Sequence, residues 1–228
     1  MDWNQLFFVL FPYISVTLFI AVTIYRSIFR PFTVSSLSSQ LLEGKKLYWG
    51  SVPFHYGIVL ILLTHLLALI FPKALLLWNA VPLRLYLLEF SGFALGLWAL
   101  AGVILLIYRR VTVAYIRKVT TPMDIVVLLL TLVSIITGVL TAVGYRFGST
   151  WFTGVFTPYL WSILILQPRP ELVAPLPWII QLHVLNNFIL LAVFPFSRLV
   201  HILTWPLGYI FRPWQIVVWV RERRQIEK

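Results

Sequence analysis

The sequence predicts an all-α integral membrane protein, in which the whole chain, 1–228, forms one domain with five transmembrane helices. The first observation is composition: 61% of the residues are hydrophobic, 11% are charged, and the mean hydropathy is +0.93. The second is that long apolar runs alternate with short polar segments. The third is that the basic residues, whose excess over the acidic ones gives a net charge of +11, are concentrated in alternate polar segments.

Five apolar runs are long enough to cross a bilayer core, which takes about 20 helical residues. They cover residues 5–25, 52–71, 90–108, 123–143 and 178–203. The first run has no basic residue before Arg26 and no small-residue cleavage site after a short apolar core. We therefore expect it to remain as a span, and we expect no soluble domain between the runs.

A sixth apolar stretch, 151–167, needs a separate interpretation. It is shorter than the five spans, contains Pro158 and is rich in aromatic residues. If it crossed the membrane, the basic segment 221–224 would lie on the side that has few basic residues, against the positive-inside rule. We therefore expect an outer interfacial helix near 151–167.

The basic residues predict the orientation of the chain. With five spans, fourteen Lys and Arg residues fall on one side of the membrane and four on the other. By the positive-inside rule, the N-terminus is outside and the C-terminus is cytoplasmic. Topology and attraction to anionic membrane lipid explain the net charge, so we expect no binding to nucleic acid.

The absence of cysteine limits the chemistry that this chain can carry. It excludes disulfides, thiolate metal sites, iron–sulfur clusters held by this chain, and c-type haem attachment. A metal would therefore use histidine or oxygen ligands. The only acids near a span are Glu89 and Asp124, at the ends of the third and fourth apolar runs.

All four histidines lie inside predicted spans: His55 and His65 in the second, and His183 and His201 in the fifth. These spans run in opposite directions, so each histidine has one partner at its own depth. His55 pairs with His201 near the inner face, and His65 pairs with His183 further outward. The eighteen residues between His183 and His201 correspond to about five helical turns, so both are expected on one helix face. The ten residues between His55 and His65 are not a whole number of helical turns, so these two histidines fit a shared helix face less well.

Two imidazoles at each depth favour haem over other metal centres. Zinc and copper usually take three or four protein ligands, often with carboxylate or sulfur among them. A porphyrin supplies four nitrogens and leaves two axial positions for histidine. We therefore predict two haems, an inner and an outer one, that transfer electrons across the membrane.

Two interpretations stay open from these residues alone. Arg198 and Arg110, near the inner histidines, are candidates for contacts with haem propionates, but topology by itself also explains their position. A membrane histidine can also pack or relay protons, so a haem-free membrane anchor or proton-conducting subunit is the alternative function. A relay needs a graded chain of sites, whereas these histidines form two matched layers.

Several short motifs carry a resemblance to a known family. The most specific is Phe194-Pro195-Phe196-Ser197-Arg198-Leu199-Val200-His201-Ile202, together with the histidine intervals of ten and eighteen residues. Supporting segments are Phe11-Pro12-Tyr13-Ile14, Ser38-Ser39-Gln40, Arg109-Arg110, Thr120-Thr121 with Asp124-Ile125, and Pro206 with Tyr209, Arg212 and Gln215. In these features the chain resembles the gamma subunit of respiratory nitrate reductase, a membrane cytochrome b.

The resemblance implies a multi-pass subunit of a prokaryotic inner (cytoplasmic) membrane with two b haems. The family oxidises quinol, either menaquinol or ubiquinol, near the outer face. Electrons then pass to an iron–sulfur beta subunit and a molybdenum-containing alpha subunit on the cytoplasmic side. The implied ligands are His55 and His201 for the inner haem and His65 and His183 for the outer haem, the same pairs that depth predicts.

The resemblance also implies a quinol site near Tyr86, where the family has a lysine, with Arg84 close by. No catalytic residue for nitrate reduction is predicted in this chain, because that reaction belongs to the alpha subunit. No residue of this chain identifies the terminal substrate of the complex. Nitrite oxidoreductase, sulfur-compound and heterodisulfide-type complexes are therefore alternative partners.

Overall fold

The computed structural model describes residues 2–30, 33–34, 39 and 42–203. This part of the chain forms helices and contains no strand. The main helices are α1 (Trp3–Phe29), α2 (Lys45–Ile70), α3 (Pro72–Asn79), α4 (Pro82–Thr112), α5 (Ala114–Lys118), α6 (Pro122–Gly144), α7 (148–164) and α8 (Trp178–Val193). Turns of π-helix lie within α1 (Leu6–Leu10) and α7 (Phe152–Phe156).

Among the described residues, five helices are long and apolar enough to cross a membrane: α1, α2, α4, α6, and α8 together with its extension to Phe196. They contain the five predicted apolar runs or most of each run, and the all-helical fold class is confirmed. Polar residues at the helix ends, such as Lys45 and Arg109, continue the helices beyond the apolar runs.

Proline and a capping box determine where several helices begin. Pro72, Pro82 and Pro122 occupy first turns, where the missing N–H costs no helical hydrogen bond. At the start of α6, Thr121 Oγ1 accepts from the Asp124 backbone N–H at 3.2 Å, and Asp124 Oδ2 accepts from the Thr121 N–H at 3.0 Å. The capping box therefore fixes Asp124 in the first turn of α6.

The fifth predicted span, 178–203, is not one continuous α-helix. Helix α8 ends at Val193, and two 3₁₀ turns, Phe194–Phe196 and Arg198–Ile202, follow it. Pro195 explains the end of the α-helix, because it lacks the N–H of a helical hydrogen bond, and the extended backbone of Ser197 separates the two 3₁₀ turns. The expectation that His183 and His201 share one face of a regular helix is therefore wrong.

The long helices pack in the order α2, α4, α6, α8, α1. Glycine allows α2 and α4 to approach closely: a Cβ on Gly102 would lie 2.5 Å from the Phe54 nitrogen, and one on Gly57 would lie 2.8 Å from the Leu95 oxygen. Within the described residues, α2 makes no extensive contact with α8. The histidine-bearing segments therefore approach each other without direct helix–helix packing.

Helix α7 packs across one end of this row. The Tyr159 hydroxyl donates to the Phe8 carbonyl of α1 at 2.9 Å, and Trp161 Nε1 donates to the Leu69 carbonyl of α2 at 3.0 Å. We call this end the α7 end. The opposite end, where α1 and α4 finish and α2 and α6 begin, carries most of the basic residues in the described ranges, and we call it the basic end.

Candidate functional site

The structure brings His55 and His201 together at the basic end. Their ring centres lie 6.4 Å apart, and the ring planes are inclined by 61°. His55 is exposed on α2, and His201 is partly buried in the last 3₁₀ turn. Two imidazoles on opposite sides of one metal atom have ring centres about 6 Å apart, since each metal–nitrogen bond is about 2 Å long and each ring adds its radius. The observed spacing matches that arrangement.

His65 and His183 lie further toward the α7 end. Phe152 of α7 packs edge-on against His65, with ring centres 4.9 Å apart. Gly138 of α6 faces His183, where a Cβ would lie only 3.3 Å from Cε1 of the ring. This second pair is therefore bounded by α6 and α7.

Three of the four histidines use Nδ1 in a hydrogen bond to a backbone carbonyl one turn earlier. The acceptors are the carbonyl oxygens of Ser51 for His55 (2.8 Å), Ile61 for His65 (2.8 Å) and Arg198 for His201 (2.7 Å). A carbonyl oxygen can only accept, so Nδ1 carries the proton in each ring. In the neutral ring the lone pair is then on Nε2, the nitrogen that a metal would bind.

His183 reaches the same protonation pattern through a side chain. Its Nδ1 lies 2.9 Å from Thr137 Oγ1, and that hydroxyl lies 2.7 Å from the Val133 carbonyl oxygen. Because the carbonyl can only accept, the hydroxyl donates to it and accepts from the His183 Nδ1–H. All four rings therefore have Nδ1 held by an oxygen, as metal-binding histidines usually do.

The contact between α6 and α8 around His183 uses polar side chains that sequence analysis did not select. Asn187 donates to the His183 carbonyl at 2.8 Å and accepts from the Ser134 hydroxyl at 2.8 Å. Asn186, which is 3% exposed, donates to the Leu130 carbonyl at 2.9 Å. The signal that could have identified them in the sequence is a pair of consecutive asparagines within an apolar helix. Their bonds fix the rotation of α8 relative to α6.

At the basic end, Asp124 binds both arginines that sequence analysis selected. Its Oδ2 lies 3.2 Å from Arg110 Nη1, and its Oδ1 lies 3.0 Å from Arg198 Nε. The ion pairs join α4 and α6 to the turn that carries His201. Contacts of Arg110 and Arg198 with haem propionates stay a prediction, and the binding of both guanidinium groups by one carboxylate was missed.

A second ion pair lies at the same end. Arg109, which is 3% exposed, donates from Nε to Glu43 Oε2 at 2.7 Å and from Nη2 to the Glu43 carbonyl at 2.8 Å. The hydrogen bond from Arg109, with a further one from the Lys46 backbone N–H, lowers the pKa of Glu43 below its ordinary value of 4.5. This pair attaches the segment before α2 to the end of α4.

Tyr86 and Arg84, the predicted quinol-site residues, lie in the first turns of α4 at the α7 end. Tyr86 is 60% exposed, and its ring centre lies 6.2 Å from that of Phe147. The Arg84 guanidinium lies 5.2 Å from the centre of the Trp78 ring, within the range of a cation–π interaction. Both residues are thus at the same end of the bundle as His65 and α7.

The histidine pairs are the candidate metal ligands among the described residues. Within those residues, no group of three or more His, Asp or Glu side chains could hold a metal ion. A metal at either pair would therefore take its remaining ligands from a bound group. A porphyrin supplies four nitrogens and needs two axial ligands, so two neutral imidazoles per centre fit haem.

Some residues that support the family resemblance lie outside the described residues. These are Ser38, Gln40, Pro206, Tyr209, Arg212 and Gln215, and the basic C-terminal residues Arg221, Arg223, Arg224 and Lys228 lie outside them as well.

Comparison with known proteins covers nearly the whole chain. The profile of the nitrate reductase gamma subunit family matches residues 4–220. The nitrate reductase gamma chain of Bacillus subtilis is 31% identical over 217 residues, which cover 93% of this chain and 97% of that protein. The respiratory nitrate reductase 1 gamma chain of Escherichia coli is 28% identical over 230 residues, covering 94% and 96%.

A further relative is much longer than this chain. The nitrate reductase-like protein NarX of Mycobacterium tuberculosis is 34% identical over 218 residues, which cover 93% of this chain and 33% of that protein. The chain therefore spans about a third of the length of NarX. The family profile and the Bacillus subtilis protein confirm the resemblance seen in the motifs, and the chain belongs to the nitrate reductase gamma subunit family.

Proposed function

We propose that this chain is the dihaem cytochrome b subunit of a membrane-bound nitrate reductase complex. His55 and His201 would ligate an inner haem, and His65 and His183 an outer haem. The observation that carries the proposal is the 6.4 Å spacing between the ring centres of His55 and His201. When bound, a haem with two axial histidines supplies one-electron transfer and leaves no position for oxygen chemistry.

The chain's own residues would hold the rings in place. Backbone carbonyls fix three of the rings, and Thr137 fixes His183. Gly138 leaves room beside His183, and Phe152 covers one edge of His65. These contacts limit ring rotation, so the geometry of the ligands is set before the cofactor binds.

Membrane quinol, either menaquinol or ubiquinol, is the proposed electron donor at the α7 end. The Tyr86 hydroxyl can donate a hydrogen bond to a quinone oxygen, and Arg84 can contribute a positive charge. Oxidation there would release protons outside, and the electrons would leave at the basic end. Each electron that crosses against the membrane potential then costs about 2.3 kcal/mol per 100 mV.

The proposed partners are an iron–sulfur beta subunit and a molybdenum-containing alpha subunit. Family membership supports the assignment, and the basic end offers the charged surface on which a partner would dock. This assignment puts the basic end and the C-terminus on the cytoplasmic side of a prokaryotic inner membrane. The N-terminus and α7, as an interfacial helix, would then lie at the outer face.

The hydrogen bonds also favour haem ligation over the proton-relay alternative. A relay histidine takes up a proton on one nitrogen and gives one up from the other. In His65 and His201, the Nδ1 proton points to a backbone carbonyl that cannot accept it permanently. Such bonds hold a ring still, as metal ligation requires, and do not lead to a next site.

Single replacement of each histidine by alanine tests the proposal. The full chain, purified in detergent with its partner subunits, should contain two haems by the pyridine haemochrome assay. His55→Ala and His201→Ala should lose the same haem, and His65→Ala and His183→Ala should lose the other, because either ligand is required at its own iron. Reduced-minus-oxidised spectra identify which haem remains.

The two pairs should also differ in electron transfer. Loss of the outer pair should abolish reduction of the remaining haem by quinol. Loss of the inner pair should allow that reduction but block transfer to the partner. A wild-type complex with no pyridine haemochrome signal would refute the proposal, and loss of the same haem from His55→Ala and His183→Ala would refute the pairing.

A further inference from the structure

The basic end holds a buried carboxylate to which the proposed function gives no role. Asp124 is 8% exposed, and both of its oxygens are bound. Oδ1 lies 3.0 Å from Arg198 Nε, and Oδ2 lies 3.2 Å from Arg110 Nη1 and 3.0 Å from the Thr121 backbone nitrogen. Charge-assisted bonds of this kind are shorter and stronger than neutral ones, so they hold Arg198 firmly.

Arg198 links this carboxylate to a histidine. Its backbone carbonyl accepts the hydrogen bond from His201 Nδ1 at 2.7 Å, while its side chain is bound by Asp124. Arg198 is also the first residue of the 3₁₀ turn Arg198–Ile202, where the Ser197 hydroxyl accepts from the Leu199 N–H at 3.1 Å. A displacement of Arg198 would therefore move the acceptor of the His201 ring.

His201 depends on such an anchor more than the other three histidines do. His55 and His65 are in the middle of α2, and His183 is in α8, where helical hydrogen bonds fix the backbone. The turn that carries His201 follows the break at Pro195 and is too short to fix its own direction. The contact between Asp124 of α6 and Arg198 attaches this turn to a long helix.

We infer that Asp124 is a positioning residue for the inner haem: through Arg198 it sets the orientation of the His201 ring. The inference rests on the proposed function. Asparagine at position 124 would keep the size of the side chain but remove its charge. Arg110 and Arg198, whose charges repel each other, would then lack their shared counter-charge, and the turn would move.

The test compares Asp124→Asn with Glu43→Gln in the full chain with its partners. Glu43→Gln is the matched control, because it neutralises the other acid–arginine pair at the same end without touching the His201 turn. The readouts are haem content, midpoint potential and the ferric low-spin EPR signal, whose position depends on the angle between the two axial rings. The spectra of the outer haem in the same samples serve as an internal control.

Asp124→Asn should shift the EPR signal and potential of the haem that His55→Ala and His201→Ala remove, and should leave the other haem unchanged. Loss of such a supporting contact typically weakens metal-site retention by roughly 10- to 100-fold. Glu43→Gln should leave both haem signals at their wild-type positions. Asp124→Glu, which restores the carboxylate, should move the inner signal back toward wild type.

If Asp124→Asn does not fold, Arg198→Lys tests the same link between Asp124 and His201. Lysine keeps the positive charge and the backbone carbonyl of residue 198 but lacks the guanidinium geometry. It should shift the inner signal alone. An inner signal at its wild-type position in the folded variants, or an equal change in both haems, would overturn the inference. A wild-type chain without two haems would instead overturn the proposed function.

Discussion

The four histidine rings differ in what holds them, and this difference can be tested one residue at a time. His55, His65 and His201 bond to backbone carbonyls, which substitution does not remove, and His55 Nδ1 also lies 3.0 Å from the Ser51 hydroxyl. His183 bonds to the Thr137 hydroxyl, which a single substitution does remove. Thr137 is 3% exposed and lies on α6, far from His183 in the sequence.

Thr137→Val should therefore weaken the outer haem site. Valine has the shape of threonine but leaves the His183 Nδ1–H without an acceptor, a cost of about 1–3 kcal/mol for a buried donor. We expect roughly 10- to 100-fold weaker retention of the outer haem, measured as haem content after washing in detergent.

Thr141→Val is the matched control for this prediction. Thr141 lies one turn further along α6, and its buried hydroxyl has no hydrogen-bond partner within the described part of the chain. Valine there should leave both haems in place and should not lower stability, because no bond is lost. Equal behaviour of the two variants would contradict the role given to Thr137.

The histidines could be identified from the sequence, whereas the residues that hold the histidine rings in place could not. Four histidines in apolar runs are visible without a structure, and their depths predict that His55 lies beside His201. The acceptor Thr137 and the carboxylate Asp124 are common residue types, and their partners are distant in the sequence. Only the packing of α6 against α8 and the 3₁₀ turn makes them neighbours.

Helix α7 shows how an element can be held by a side chain from another helix. Glu89 of α4 accepts from the backbone N–H groups of Gly148 and Ser149, at 3.2 Å and 2.8 Å, and from the Ser149 hydroxyl at 2.6 Å. These N–H groups belong to the first turn of α7 and have no partner within the helix. Glu89 therefore acts as the cap that the local sequence of α7 lacks.

Glu89→Ala should detach the start of α7. Loss of a helix cap typically costs about 0.5–2 kcal/mol, so the thermal unfolding temperature of the purified protein should fall. Because Phe152 of α7 packs on His65, quinol-dependent haem reduction should also slow. The control is Glu171→Ala, since Glu171 is exposed in the 3₁₀ turn Pro170–Leu172. Unfolding temperatures that fall equally in both variants would contradict the capping role.

The end of α8 shows where the hydrophobic pattern alone misleads. The apolar run continues to position 203, so hydropathy extends the span through Pro195. The structure ends the α-helix at Val193, because the proline interrupts the helical hydrogen bonds. Proline inside an apolar run was the signal for this break. The consequence is functional, because it releases His201 from helical periodicity and makes its position depend on Asp124.

Across the whole molecule, length and composition were enough to predict the fold class and the approximate limits of the spans. The order in which the helices pack was not predictable, because the helices are apolar on all sides and carry no pattern that selects a neighbour. Small residues make that selection, as Gly57 and Gly102 do between α2 and α4. The basic residues predict an orientation in the membrane, and reporter fusions can test it.

The position of α7 makes the orientation testable with reporters. The start of α7 is bound by Glu89, and its later turns are bound to the Phe8 and Leu69 carbonyls, so both ends of α7 lie at the α7 end of the bundle. The chain should therefore not cross the membrane between α6 and α8. Alkaline phosphatase fused after Arg146 or after Gln167 should be active outside, and a fluorescent protein fused after Lys228 should fold in the cytoplasm. Fusions after Arg146 and Gln167 that report opposite sides would make α7 a sixth span, which would reverse α8 and remove the depth pairing of the histidines.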